Sequence, residues 1–380
     1  MNFEYTEEQI MAQQSARDFA QRELIQDVIE RDTNAIFPTE HVKKLADLGF
    51  LGMLVDPKYD GTGMDTISYV LAIEEISKVD SSVGVIMSVN NSLVAYEIEE
   101  YGTEEQKEKF LKPLARGEKI GAFLLSEPEA GSDATSQRTT AIDKGDHYLL
   151  NGVKNWITNA NSASTYVVIA QTDVEKGHKG INAIIVDRHA EGISLGPHED
   201  KMGMRSSDTH SVMFTDVKVP KENRLGEEGS GFKIAMKTLE GGRLGIAAQA
   251  LGLASGSYEL ALKYAHERKT FGKEIIKHQA IAFKLADMAT EIEAARFLCM
   301  KAAWLKDNGK PFGTESAMAK LYCAETAMKI TTEAVQILGG YGYVKEYHVE
   351  RLMRDAKLTQ IYEGTSEIQK IVISRAISSF

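Results

Sequence analysis

The chain has 380 residues, a length that accommodates two or three domains, and 43% of them are apolar, enough for a real core. It carries 44 Lys and Arg against 55 Asp and Glu, a formal net charge of −11. No stretch is strongly basic, which argues against nucleic-acid binding and against adsorption to anionic membranes, since both depend on positive surface.

The first residues, MNFEYTEEQI, are acidic and lack an apolar stretch, so neither a signal nor a transit peptide is expected and the expected setting is cytoplasmic. The apolar runs are far short of a membrane span. Residues 1–118 read as an N-terminal helical domain. TEEQ occurs at Thr6–Gln9 and again at Thr103–Gln106. Each is a capping box, in which the threonine side chain and the glutamine satisfy free amides at a helix start. Between them, HVKKLADLGF and ISYVLAIEEISKV carry apolar residues at helical spacing, and the Gly-rich loop DPKYDGTGMD (56–65) separates the two.

Residues 119–227 change character. The runs GAFLLS, HYLLNGVKNWITN, TYVVIAQTD, INAIIVD and HSVMFTDVKV are rich in β-formers and punctuated by Gly, Asp, Asn and Ser. They predict a small antiparallel β domain. From 228 to 380 the pattern is helical again. Ile281, Leu285, Met288, Ile292, Ala295, Cys299 and Ala302 step by four and three, one apolar stripe on a long helix of a bundle. Cys299 is therefore expected to be a buried core thiol, and Cys323 likewise. With two cysteines and no CxxC, no zinc ribbon or disulfide framework is indicated, and a reducing setting fits. The fold class expected is α+β, mainly α.

Several common chemistries are missing. No GxGxxG follows a strand, and GxxxxGK[ST], HExxH and GxSxG are all lacking. The nine histidines are scattered without ligand spacing, so no metal site is expected. A cofactor site would have to be assembled from separated segments.

Four stretches carry candidate chemistry. In FLLSEPEAGSDATS (123–136) a strand runs into a turn whose amides and hydroxyls suit a planar polar ligand or a phosphate, although a connecting loop reads the same. In NGVKNWITNA (151–160), Trp156 and Thr158 share a strand face, offering a ring beside a hydroxyl; a core tryptophan is the competing reading. In HERKTFGKEIIKHQAIAFKLADM, Arg268 precedes a Gly-containing turn and Gln279 opens the striped helix; arginine suits a pyrophosphate, but also plain solvent. In AVQILGGYGYVKEYHVERLMRDAKLTQIYEGTSEIQKIV (334–372), Gly339 and Gly340 end a helix. Ser366 and Gln369 read as a further capping box, which places Glu363 in a loop just before a helix N-terminus. The helix dipole favours its ionised form and burial beside Ile361 and Tyr362 opposes it, the balance by which a carboxylate becomes a general base near neutral pH. A helix-entry acid without chemistry is the alternative, and Glu367 reads that way.

In that order, SEPEAGSDA, WITNA, RKTFGK, QILGGYGY, MRDAK and QIYEGTSEIQ resemble the acyl-CoA dehydrogenase family over essentially the whole chain. LEGGRLGIAAQALGLA and YEGTSEIQ look closest to its short-chain (butyryl-CoA) branch. The resemblance implies an N-terminal helical domain, a middle β-barrel domain and a C-terminal four-helix bundle. It implies FAD, a fatty acyl-CoA thioester oxidised to the trans-2-enoyl-CoA in fatty acid β-oxidation, an electron-transfer flavoprotein as acceptor, and a homotetramer. By the resemblance Glu363 is the catalytic base and its own amide part of an oxyanion hole. Phe123, Leu125, Ser126, Gly131 and Ser132 would line the flavin, and Trp156, Ile157 and Thr158 would flank its ring. Arg268, Phe271 and Gln279 would hold the pyrophosphate and adenosine half. Gln336, Leu338, Gly339 and Gly340 would meet that half from a neighbouring subunit. Thr365, Ser366 and Glu367 would touch the ribityl or phosphate part. Ser132, Glu240, Arg243 and Gly364 would contact the acyl-CoA. Some branches carry the base just before the arginine matched by Arg243; here that position is Gly242, so the base falls to Glu363, with Glu240 the nearest other acid. A catalytically idle flavin- or acyl-CoA-binding subunit and an acyl-CoA oxidase are the other readings; the intact Glu363, Arg268 and Trp156 and the chain's length favour the dehydrogenase.

Overall fold

A computed structural model describes residues 4–378. The N-terminal part is helical: α1 (Glu7–Arg22), α2 (Val28–Asn34), α3 (Thr39–Asp47), α4 (Thr66–Val79) and α5 (Ser81–Ser88). A π-helical stretch, Val89–Ala95, joins α5 to α6 (Tyr96–Tyr101), and the short α7 (Glu104–Gln106) and α8 (Lys112–Ala115) follow. Both TEEQ capping boxes form, with Thr6 and Thr103 as N-caps.

The middle part is an eight-stranded sheet: β1 (Gly121–Leu124), β2 (Thr140–Asp143), β3 (His147–Thr158), β4 (Thr165–Gln171), β5 (Ile181–Asp187), β6 (Ile193–Leu195), β7 (Thr209–Pro220) and β8 (Arg224–Leu225). The strand order is β6-β7-β3-β2-β4-β5-β8, with β1 beside β4. Most pairs are antiparallel, as the β-rich, turn-punctuated runs predict, but β1 and β2 each run parallel to β4. The sequence reading missed β2, β6 and β8, which are short and have too few positions to show a period.

The C-terminal part is a bundle. The long α9 (Gly231–Glu267) is followed by the hairpin β9 (Lys269–Thr270) and β10 (Lys273–Glu274), then α10 (Gln279–Asp307), α11 (Gly313–Leu338), α12 (His348–Thr359) and α13 (Ser366–Ile377). Helix α11 lies at the centre, packed on α9, α10, α12 and α13, while α9 also packs on α4. Gly252 permits that crossing: a Cβ there would sit 2.4 Å from the Glu74 carbonyl on α4. The stripe on α10 is buried from Leu285 to Ala302, and Cys299 and Cys323 are both buried between α10 and α11. One contiguous apolar core runs through all three parts. Among the described residues, no helix is long and apolar enough to cross a membrane, and no group of three or more metal-ligating side chains forms.

Candidate active site

The loop between α12 and α13 holds Glu363 in a left-handed conformation, φ 50°, followed by Gly364 at φ 90°. Such a backbone costs a non-glycine residue roughly 1–2 kcal/mol and persists only where neighbours fix it. The neighbours are side chains. The Gln369 amide donates to the carbonyls of Glu363 (3.2 Å) and Gly364 (2.8 Å), and Lys320 Nζ donates to the Gly364 carbonyl at 2.7 Å. The capping box expected from Ser366 and Gln369 does not form. Thr365 is the N-cap, accepting from the Ile368 amide, because Gln369 is turned back to the loop carbonyls and the Ser366 hydroxyl donates to Glu325. On the other side, the Tyr362 hydroxyl donates to the buried Gln249 of α9.

The Glu363 carboxylate enters space that a glycine leaves free. A Cβ at position 242 of α9 would lie 2.1 Å from Glu363 Oε2 and 2.7 Å from Leu93 Cδ2. Oε2 is buried without a hydrogen-bond partner. Burial pushes this carboxyl up to about 7, against the pull of the nearby Lys320 and Arg243 cations. Two buried side chains, Lys320 and Arg243, thus favour the ionised form against burial. Arg243 is buried, its own pKa is lowered by that burial, and its Nε lacks a partner. Glu240 points elsewhere: its carboxylate pairs with Lys237 at 2.7 Å and packs over Gly313 at the start of α11.

In the sheet, β3 and β7 lose register between Lys154 and Ile157. At this irregularity Trp156 adopts φ 60° and leaves 61% of its surface exposed, so it is not a core tryptophan. Ile157 is buried on the opposite side and Thr158 is half-buried. The Asn155 amide donates to the Ser126 carbonyl at 2.9 Å, and the buried Lys154 donates to the Leu125 carbonyl at 2.9 Å and to Glu127 at 2.8 Å. The end of the β1 segment, with half-buried Phe123, Leu125 and Ser126, is thus stitched to the Trp156 segment. Gly131 and Ser132 are exposed beyond it, with nothing within 4 Å of a Cβ at Gly131.

A separate cleft of about 600 Å³ lies where α9 ends and α11 stops, lined by Tyr264, Arg268, Thr270, Leu338, Gly339, Gly340 and Tyr341 among others. The Arg268 guanidinium stands 5.7 Å from the Tyr341 ring centroid. Arg268 and Gly339–Gly340 line one cleft of this chain. Phe271 (96% exposed), Gln279 and Gln336 lie at the surface and do not line that cleft. Thr365 is occupied as a cap, Ser366 is directed to Glu325, and Glu367 is exposed in the first turn of α13.

Sequence reasoning passed over Lys320 and Gln249 and read Gln369 only as part of a cap; all three are fully buried polar residues at the site. A signal existed for Lys320 and Gln249. Lys320 falls on the apolar stripe of α11 with Ala317, Ala324 and Ala327, and Gln249 lies within GIAAQALGLA. A polar residue on such a stripe needs a buried partner.

Three sequence profiles match the chain: "Acyl-CoA dehydrogenase, N-terminal domain" over residues 6–118, "middle domain" over 122–217 and "C-terminal domain" over 229–378. The chain is 52% identical over 377 residues to the short-chain specific acyl-CoA dehydrogenase of Clostridium acetobutylicum, covering 99% of this chain and 100% of that one. It superimposes on the solved butyryl-CoA dehydrogenase of Megasphaera elsdenii with a TM-score of 0.98 and 50% identity, covering 100% of both chains. A chain from a structure described as the electron transferring flavoprotein of Acidaminococcus fermentans matches with a TM-score of 0.98 and 52% identity, over 99% of both.

Proposed function

The chain belongs to the acyl-CoA dehydrogenase family, and we propose that Glu363 is its catalytic base. It is an FAD-dependent oxidoreductase that converts a short-chain fatty acyl-CoA thioester to the trans-2-enoyl-CoA. Its residues fit FAD. Trp156 presents an uncovered ring face beside Thr158, Gly131 has open backbone, and Arg268 offers a cation in a cleft floored by the bare Gly339–Gly340 backbone. Leu338, Gly339, Gly340 and Arg268 share one cleft of this chain, so in a homotetramer they would reach a neighbour's cofactor together. When bound, FAD supplies the acceptor for the hydride that leaves the β carbon.

The chain's own part is the α-proton. Glu363 takes it on the unpartnered, buried Oε2, and that orphaned oxygen is the observation that carries the assignment. The protein does not tie the carboxylate down, so its partner is supplied by substrate. Loss of the proton puts negative charge on the thioester oxygen, and the Glu363 amide, fixed by the clamped loop, is the donor proposed for it. Arg243 and Gly364 contact the acyl-CoA, and Glu240, three residues before Arg243 on α9, is paired with Lys237. An electron-transfer flavoprotein is the proposed electron acceptor, supported by the Acidaminococcus likeness.

An anaerobic visible spectrum before and after adding butyryl-CoA tests this. A flavin band that bleaches supports the reading. A flavin that stays oxidised with short, long and branched thioesters would leave a binding subunit in its place.

A further inference from the structure

Lys320 is the one buried cation of α11 that faces the base, and no step of the reaction above calls on it. Its side chain is fully buried, and its amine makes a 2.7 Å bond to the Gly364 carbonyl. That carbonyl belongs to the residue after the base, in the second of two consecutive left-handed positions. We propose that Lys320 is a positioning residue of this active site: by clamping the Gly364 carbonyl and lying beside the Glu363 carboxylate, it fixes the left-handed turn that aims the base and stabilises the base's ionised form.

Two observations carry this. The first is geometric. The Gly364 carbonyl has two donors, Gln369 and Lys320, which converge on the same oxygen. Gln369 lies on α13, the helix that the loop itself starts, so it holds the loop only to its own continuation. Lys320 lies on α11, the centre of the bundle, and anchors the loop to the rest of the protein. The second is electrostatic. Glu363 faces Lys320 from α11, Arg243 from α9 and Tyr69 from α4, with Tyr362 beside it in the loop. Lys320 also faces Glu325 and Glu367. Glu325 is already engaged by Ser366 and Gln360, and Glu367 is exposed, so the carboxylate that Lys320 most affects is the base. Burial pulls Lys320 down to about 8, and Glu363 is the first group holding it up. A buried cation near a carboxylate lowers its pKa by about one unit or more.

The inference rests on the proposed role of Glu363, and the test separates the two. Lys320→Met keeps the volume and removes both charge and donor. We expect it to retain FAD and fold, to lose about 10- to 100-fold in kcat/KM with butyryl-CoA, and to move the acid limb of the pH–rate profile to higher pH by about one unit. Lys320→Gln restores a donor without charge. It is expected to recover part of kcat while keeping the shifted limb, and it also serves if the methionine variant does not fold. An acid limb that coincides with wild type in the folded variant overturns the proposal, since a purely structural lysine would lower activity without moving it. If wild-type protein fails to turn over any acyl-CoA, the reading of Glu363 fails. Infrared titration of the Glu363 carboxyl, assigned with Glu363→Gln, then still decides whether Lys320 shifts it.

Discussion

Replacing Gly242 by alanine sets stability and activity against each other. The added Cβ would lie 2.1 Å from Glu363 Oε2 and 2.7 Å from Leu93 Cδ2. Non-bonded heavy atoms settle near 3.5–4.0 Å, so the carboxylate must retreat by roughly 1 Å or more. Both colliding atoms are ends of flexible side chains, so the backbone can stay in place. A displacement of about 1 Å in a reacting group costs about 100-fold in rate, or about 2.7 kcal/mol of activation free energy. Meanwhile residue 242 lies inside α9, where alanine is favoured over glycine by about 1 kcal/mol. The expected result is a protein with normal FAD content, a melting temperature equal to or above wild type, and kcat with butyryl-CoA reduced about 100-fold. Steady-state kinetics, flavin absorbance and circular dichroism melting read the three quantities. Wild-type turnover in Gly242→Ala would mean that the carboxylate does not work from the space that glycine leaves, and the geometry argued for the base would be wrong.

Glu363→Gln is expected to keep fold and FAD and to lose nearly all turnover. In wild type, kcat/KM should fall as pH drops below about 7, because only the ionised carboxylate accepts a proton; a profile flat through that range would count against this base. Arg268→Ala should purify with less FAD, and full flavin occupancy would remove Arg268 from the pyrophosphate role. Glu97 on α6 is fully buried, both its carboxylate oxygens lack hydrogen-bond partners, and burial pushes it up to about 8. Its folded pKa lies above the ordinary 4.5, so the stability it contributes is full below that value and is lost as pH rises toward about 8. Glu97→Gln, neutral throughout, should therefore gain a few kcal/mol on wild type between about pH 5 and 8, and parallel melting-temperature curves across that range would refute it.

The legible part of this protein was the part written in periodicity and punctuation. The α10 stripe from Leu285 to Ala302, the two TEEQ boxes and the glycine stop at Gly339 all depend on neighbours within a few residues. Their physics is local, and the sequence displays it. The strands written as runs of β-forming residues between turn residues were visible, while β6 and β8, with three residues and two, were not. At the site, Glu363 could be singled out because an acid between an aromatic and a glycine before a helix is locally odd. What holds it was invisible for the opposite reason. Lys320 lies 44 residues away in bond terms from Gly364, and Gln249 lies 113 from Tyr362. The Ser366 capping box failed on the same ground: Glu325, on another helix, claims the serine hydroxyl that the local rule assigns to the backbone.

The proposed base is poised because nothing in the protein satisfies it fully. A carboxylate tied by two or three hydrogen bonds would have a depressed pKa and little appetite for a proton; one buried with no cation nearby would stay protonated at neutral pH. Glu363 sits between these limits. Burial raises it, Lys320 and Arg243 hold it back, and neither cation makes a direct hydrogen bond to Oε2. The bonds that position the residue are made to its backbone instead, through Gln369 to the Glu363 and Gly364 carbonyls and through Lys320 to the latter. Positioning through the main chain leaves the side-chain oxygen free for substrate, and it requires the strained turn: the loop must present its carbonyls to α11 and α13 while the carboxylate turns toward Gly242. Strain at φ 50° is thus offset by three hydrogen bonds to two carbonyls, and the cost falls on the backbone so that the reacting oxygen stays unpaired.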